Sequence, residues 1–516
     1  MAHRERMGWG DLFRFGRQDI AALHKTWFAF FLTFVVWFNM APLATTIIES
    51  SGLTAAHLKL LAVCNVALTS PSRFVIGMLT DRFGPRRTFA GIMVAMSLPC
   101  FAFAFSDSYT QMLASRLILS MVGTGFVVGM HMTSLWFKPR DIGFAQGVEA
   151  GFGNWGASIA AVLMPVIALN VFGSWRYAAA ASGLVMLLYG LYYRTAITDG
   201  PAFAACRAPS KSSVIEVSTW RDMIGAILWT IPVTGVLGVV VWRLNGMGFM
   251  GAGAATWAYA AIAAVVLFQA LRIVRFNYPL LKKGVPDDDK YRFADIGALC
   301  LCYGASFGAE LGVISMLPQF FENNFSLTPQ LAGLMGALFA FMSFFSRSFG
   351  GYISERSPSK RGAMLVFLAG IAVSFGLMGL IESNWPVWLA IAVTILCALF
   401  VTGACGATYA IVPLVKRRMT GHITGYVGAF GGIGAVMYLT AYTFVNDSQF
   451  FHIMGAGALF TFVFCVFFLR EPAGAFSQEY QITGSGKAMM EGRPLAGKTW
   501  GAREKPSGSA GRAPMV

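Results

Sequence analysis

The chain has 516 residues, 56% hydrophobic and only 12% charged, with a mean hydropathy of +0.62. Soluble domains carry about 25% charged residues, so a soluble enzyme, a disordered regulator or a coiled coil is hard to reconcile with this composition. Lys and Arg number 39 against 24 Asp and Glu, a net charge of +15; in so apolar a chain that excess reads as cytoplasmic loops of an integral membrane protein before it reads as a nucleic-acid footprint.

Apolar runs near the ~20 residues that cross a hydrocarbon core recur along the chain. Six spans are predicted at about 27–48, 57–80, 88–106, 109–136, 142–170 and 175–193. Two follow at about 223–242 and 253–273, and six more at about 296–318, 330–353, 362–382, 386–414, 422–445 and 449–469. In lipid each must satisfy its own backbone hydrogen bonds, so all are helices. The predicted architecture is an all-α integral membrane protein of 14 spans. It comprises an N-terminal segment 1–26, a six-helix half 27–193, a linker 194–295 holding two extra spans, a second six-helix half 296–469 and a tail 470–516.

With the N-terminus inside, 33 of the 39 basic residues fall on inner segments, and only Lys59, Arg176 and Arg243 sit at outer ends. The positive-inside rule therefore predicts cytoplasmic termini. The first 25 residues are polar and lead into a full-length span, a pattern without a cleaved signal peptide. The Gly-, Ser-, Lys- and Pro-rich tail reads as disordered. Eight scattered cysteines without a CxxC read as small buried hydrophobes, and no metal or cofactor is expected.

Three basic residues remain, all inside spans: Arg73, Arg116 and Arg347. Arg73-Phe-Val-Ile-Gly77-Met-Leu-Thr-Asp81 and Arg347-Ser-Phe-Gly-Gly351-Tyr-Ile-Ser-Glu355 both fit R-x3-G-x3-[DE], 274 residues apart. Gly143, Gly147, Gly153 and Gly156 match Gly421, Gly425, Gly431 and Gly434 at an offset of 278, with Asn154 opposite Gly432. Matched polar features in two six-helix halves imply a duplicated transporter with its substrate between the halves. Each arginine precedes the acidic residue at the loop by eight positions, about 12 Å of helix, which places both near the bilayer centre. A charge there costs at least ~2.5–3.5 kcal/mol and is functional by default. An anion would offset both cations, and a planar guanidinium suits a small planar oxyanion. The competing reading pairs each arginine with a buried carboxylate or with backbone carbonyls. Glycines at Gly151-Phe-Gly153-Asn154 and Gly431-Gly432 let helices approach, and Gly151 and Gly432 are expected to lend backbone to the site.

These residues resemble the nitrate/nitrite porter family of the major facilitator superfamily. Gly77-Met-Leu-Thr-Asp81-Arg82-Phe-Gly84-Pro-Arg86-Arg87 is similar to the superfamily's loop motif. Ala150-Gly-Phe-Gly-Asn-Trp-Gly156 and Thr424-Gly-Tyr-Val-Gly-Ala-Phe-Gly-Gly-Ile-Gly434 are similar to the family's paired signatures. So are His24-Lys-Thr-Trp-Phe-Ala-Phe-Phe31, Phe307-Gly-Ala-Glu-Leu311 and Gly406-Ala-Thr-Tyr-Ala-Ile-Val-Pro413. The resemblance covers about 20–470, including a two-helix insert found in one branch. It implies the major facilitator fold and nitrate or nitrite transport across a bacterial-type inner membrane, by alternating access. The implied substrate residues are Arg73, Arg347, Asn154, Phe126 and Phe307, with Tyr303 one turn before Phe307. Phe152, Glu149 and Ser348 depart from the usual pattern, leaving the nitrate-versus-nitrite preference open.

Exchange follows if only the loaded state crosses. Proton symport needs a titratable group near the path, for which Glu149, Glu310 and His131 are candidates. Asp81, Arg82, Glu355 and Arg116 are expected at the gate. The expected partners are the bilayer, the inorganic anion and protons, with no nucleic acid, and a monomer is the expected functional unit. A major facilitator porter for another small anion is the alternative. A membrane enzyme would need a clustered constellation that six scattered histidines do not form.

Overall fold

The computed structural model describes residues 7, 9–137, 142–200, 214–285, 290–415 and 420–471, and every regular element among them is helical. The first half contains α1 (Gln18–Phe38), α2 (Ala44–Ser51), α3 (Ala55–Ala67), α4 (Thr69–Phe83), α5 (Pro85–Ala104), α6 (Tyr109–Leu119), α7 (Gly125–Trp136), α8 (Ile142–Val166) and α9 (Trp175–Ala196). The two linker helices are α10 (Trp220–Gly246) and α11 (Ala252–Lys283). The second half runs through α12 (Phe293–Phe325), α13 (Pro329–Arg356), α14 (Lys360–Met378), α15 (Val387–Val415), α16 (Thr420–Tyr442) and α17 (Asp447–Phe468). Of the predicted tail, residues 472–516 lie outside the described residues.

Twelve stretches among the described residues are long and apolar enough to cross a membrane. Of the two predicted spans that fall short, 57–80 is divided into helices of 13 and 15 residues and 175–193 is one helix that is less apolar. The former carries Thr69, Ser70, Ser72 and Arg73, and the latter carries four tyrosines.

The predicted span 57–80 is two helices, and Pro71 explains the break. A proline has no N–H to donate, and its ring clashes with the carbonyl four residues back. The chain parts at Leu68, whose amide is caught by Ser120 Oγ at 3.0 Å, while Thr69 Oγ1 donates to the Ser120 carbonyl at 2.7 Å. Ser120 itself opens a 3-10 turn, Ser120–Thr124, that divides the predicted span 109–136 into α6 and α7. The counterpart of α4 in the second half, α13, runs unbroken. The sequence repeat thus joins two locally different backbones.

The halves meet along two seams, α8 against α13 and α3–α4 against α16. Along the first, Trp155 stacks on Phe341 at 5.7 Å and Phe152 meets Phe344 edge-on at 4.7 Å. Along the second, Ser70 Oγ donates to the Ala429 carbonyl at 2.9 Å. Toward the end predicted to face out, Lys59 Nζ donates to the Tyr442 and Val445 carbonyls at 3.0 and 2.9 Å. The linker helix α10 packs on α16 and α12, and α11 packs on α10. Only 6% of the apolar stretch of α11 is buried in protein, and exposed Trp257, Leu267, Phe268 and Leu271 form a surface suited to hydrocarbon.

Arg116 lies wholly inside the first half rather than at the seam between halves. Its Nη2 donates to Asn39 Oδ1 at 2.6 Å, its Nη1 reaches Asn65 Oδ1 at 3.5 Å, and its Cζ lies 3.7 Å from the Phe103 ring centre. Two amides and a π face hold this cation, tying α1, α3, α5 and α6 together. Replacing Arg116 by Met strands the Asn39 oxygen, a loss of about 1–3 kcal/mol. The variant should melt at a lower temperature in detergent while binding anion as tightly as the parent. A weaker anion affinity at unchanged stability would instead place Arg116 in the transport path.

Candidate functional site: two arginines between the halves

The break before Pro71 sets Arg73 near the start of α4, facing α16 across the second seam. The side chain is 3% exposed, and its Nη1 donates to the Gly428 carbonyl. Its Nε and Nη2 are buried without a hydrogen-bond partner. The guanidinium carbon lies 5.8 Å from the Phe126 ring centre and 5.6 Å from that of Phe307.

Arg347, on α13, is 9% exposed and has a fuller set of partners. Its Nη2 lies 2.5 Å from Glu310 Oε2, and its Nε donates to Ser343 Oγ, one turn back on the same helix, at 2.9 Å. Ser343 passes the bond on to Glu310 Oε1 at 3.0 Å. The Asn154 amide, reaching across from α8, matches donors to acceptors when its oxygen faces Arg347, 3.1 Å from Nε and 3.2 Å from Nη2. A bound anion at this guanidinium would therefore compete with three oxygens already in place.

Aromatic rings connect the two arginines. Phe307 lies 5.3 Å from the Arg347 carbon as well as near Arg73, and Tyr303 stacks on it at 5.0 Å and 7°. Tyr409 stands edge-on to Tyr303 at 5.0 Å and 6.2 Å from Phe126. The hydroxyls of Tyr303 and Tyr409 are buried without a hydrogen-bond partner. Gly431 makes room for this stack, since a Cβ there would lie 2.8 Å from Tyr303.

Two guanidinium groups and one carboxylate leave one positive charge. Arg73 Nε, Arg73 Nη2 and two phenol hydroxyls are the donors without acceptors. Buried donors are almost always matched, so the arrangement calls for an acceptor of one negative charge. The π faces of Phe126 and Phe307 offset part of the cost of burying the cations.

The structure distributes the remaining sequence candidates. Gly151 is a packing position, where a Cβ would lie 2.9 Å from Phe344 on α13. Gly432 similarly faces Ser70 across the second seam. Glu310 is the ion-pair partner of Arg347, and Glu149 is fully buried away from it, on α8. His131 lies near the end of α7, part-buried and with a partner of its own. The side chains of Asp81, Arg82 and Glu355 lie outside the described residues. Asp199 accepts from the Arg86 amide at 2.7 Å, joining the first turn of α5 to the segment after α9.

Sequence reasoning missed Gly428, Ser343 and Tyr409 as members of the site. Ser343 was within reach, since it stands four residues before Arg347 on one helix face. Gly428 acts through its carbonyl, which no residue type announces.

Two helical halves closing on two buried arginines, one of them with unmatched donors, define a duplicated membrane transporter. The model of the Major Facilitator Superfamily matches residues 26–283 and 299–500. The chain is 37% identical to a nitrate/nitrite transporter NrtP of Picosynechococcus, over 92% of this chain and 96% of that one. It is 39% identical to a namesake of Nostoc punctiforme, over 89% and 94%. The chain belongs to the nitrate/nitrite porter family of the Major Facilitator Superfamily. Among solved structures it is similar in fold to the inward-open xylose transporter XylE of E. coli, at TM-score 0.60 and 12% identity over 88% of this chain and 97% of that one.

Glu310→Gln removes the counter-charge of Arg347 and should strongly destabilise the empty protein, since breaking a buried pair costs about 3–5 kcal/mol. Thermal melting of the purified variant should show a lowered midpoint that nitrate partly restores. An unchanged midpoint without anion would show that the pair carries no structural weight.

Proposed function

We propose that this chain carries nitrate and nitrite across the cytoplasmic membrane by alternating access, with both termini on the cytoplasmic side. The anion lies between Arg73 and Arg347, with Phe126, Phe307 and Tyr303 against its planar face and Asn154 as a further polar contact. The observation that carries this reading is the buried Arg73 guanidinium with two donors unmatched. It stands in a chain 37% and 39% identical to proteins named nitrate/nitrite transporters. The orientation rests on the 33 of 39 basic residues that fall on inner segments.

The physics of transport follows from where the charges lie. Arg73 belongs to one half and Arg347 to the other, so closing the halves brings like charges together. Glu310 offsets the charge of Arg347, so the cost of closing falls on the uncompensated cation of Arg73. An anion between them removes that opposition and adds charge-assisted hydrogen bonds to both halves. The loaded carrier then crosses more readily than the empty one, the requirement for nitrate/nitrite exchange. A small planar oxyanion can take paired bonds from a guanidinium fork, which a lysine cannot supply.

Arg73→Lys and Arg347→Lys should each lose nitrate uptake in proteoliposomes by roughly 100-fold, the weight of about 2–3 kcal/mol of charge-assisted bonding. Both should still insert and elute as folded protein. Uptake by either variant at the parent's rate would remove the site assignment. A competition panel against labelled nitrate separates this reading from a porter for another small anion: nitrite should compete and small monocarboxylates should not.

A further inference from the structure

A second buried carboxylate stands outside the anion site. Glu149 on α8 is fully buried, and neither of its oxygens has a hydrogen-bond partner. It fills the hollow opposite Gly129 on α7, where a Cβ would overlap its Oε1 and lie 2.7 Å from its Cδ. Gly129 follows Phe126, the ring beside Arg73, by three residues, about one helical turn. Along α8, Glu149 precedes Asn154 by five residues.

Tyr193 on α9 lies close enough to Glu149 to interact with it electrostatically, and the titratable groups on the elements packed against α8 hold hydrogen-bond or ion-pair partners of their own. On α1, Asp19 pairs with Arg17 at 2.6 Å, His24 Nε2 lies 2.8 Å from the Leu12 carbonyl, and Lys25 donates to the Ala196 carbonyl at 2.6 Å. On α9, Tyr193 bonds Thr26 at 3.0 Å and Tyr189 donates to the Lys25 carbonyl at 3.0 Å. His131 on α7 has its own partner, and Arg347 on α13 holds Glu310. Glu310 cannot take up a proton without breaking that pair. Glu149 can do so without breaking any hydrogen bond.

Charge counting then separates two states of the carrier. Arg73, Arg347 and Glu310 sum to one positive charge. The empty centre is neutral when Glu149 is ionised, and the nitrate-loaded centre is neutral when Glu149 holds a proton. We propose that Glu149, in its hollow against Gly129, is the proton-carrying residue of the transporter, so that one proton crosses with each nitrate. This rests on the nitrate reading above. The proton enters onto the Glu149 carboxylate on one side of the membrane and leaves it on the other. Nitrate arrives and departs with it, and no net charge accompanies the pair. With Glu149 held neutral, the empty centre keeps its positive charge and only the anion-loaded carrier can cross, which leaves exchange alone.

The test reconstitutes the full chain, Glu149→Gln and Gly129→Ala in proteoliposomes. Nitrate/nitrite exchange is measured at equal pH, and net nitrate uptake into anion-free vesicles is measured under an inward acid gradient. Glu149→Gln should keep exchange and lose gradient-driven uptake to the level of protein-free vesicles. Gly129→Ala, which puts a methyl group where the carboxyl sits, should shift in the same direction. Three results overturn the proposal: gradient-driven uptake by Glu149→Gln at the parent's rate, a parent that exchanges without responding to the gradient, or a folded Glu149→Gln that has lost exchange too. A parent that neither exchanges nor takes up nitrate overturns the nitrate reading itself, and the proposal with it.

Discussion

Two guanidinium groups buried at the junction of two helical halves are the constraint on which the rest of this molecule depends. Burying a cation in a bilayer-sized core is expensive, and burying two in reach of one aromatic ring adds repulsion. The protein compensates them unequally. Arg347 has a carboxylate, a serine and an amide, whereas Arg73 has one backbone carbonyl and the faces of two phenylalanines. That inequality turns a symmetric sequence repeat into an asymmetric centre, with one arginine fully partnered and the other keeping two unmatched donors.

The backbone around the site is shaped to hold these charges. Pro71 breaks the second span at the level where Arg73 must cross to α16, and Ser120 takes up the groups the break exposes. On the other side, the Arg347 carbonyl lies where a Cβ on Gly406 would have to be, so α13 and α15 touch backbone to backbone. Glycine at such crossings lets helices approach closely where no hydrophobic force drives them together. The same feature keeps Gly428 bare beside the Tyr409 hydroxyl and Arg73. The composition's 57 glycines thus serve the geometry of the charged centre as well as general packing.

Much of this was legible in the sequence because it is periodic or charged. The apolar runs gave the helices, and the few basic residues left over from the loops gave Arg73 and Arg347. The resemblance added Phe126, Phe307, Tyr303 and Asn154, all of which lie at or beside the two guanidinium groups. What stayed hidden depends on contacts between distant segments. Glu310 reads as a lone intramembrane acid until α12 and α13 are packed, and only then becomes the partner of Arg347. Arg116 reads like its two neighbours, yet Asn39, Asn65 and Phe103 enclose it within one half. The pairing of each arginine with a carboxylate or a carbonyl, weighed from sequence as the rival to anion binding, turns out to coexist with unmatched donors on Arg73. Helix breaks at Leu68 and Ser120 were invisible to hydropathy, which averages across them.

We propose that the arginine centre, with one net positive charge, accepts one monovalent anion per chain. Calorimetric titration of the purified protein with nitrate tests this most directly. A stoichiometry of about one anion per chain, lost when Arg73 is replaced by Gln, is the predicted result. Two anions per chain, or binding that survives the loss of Arg73, would contradict it.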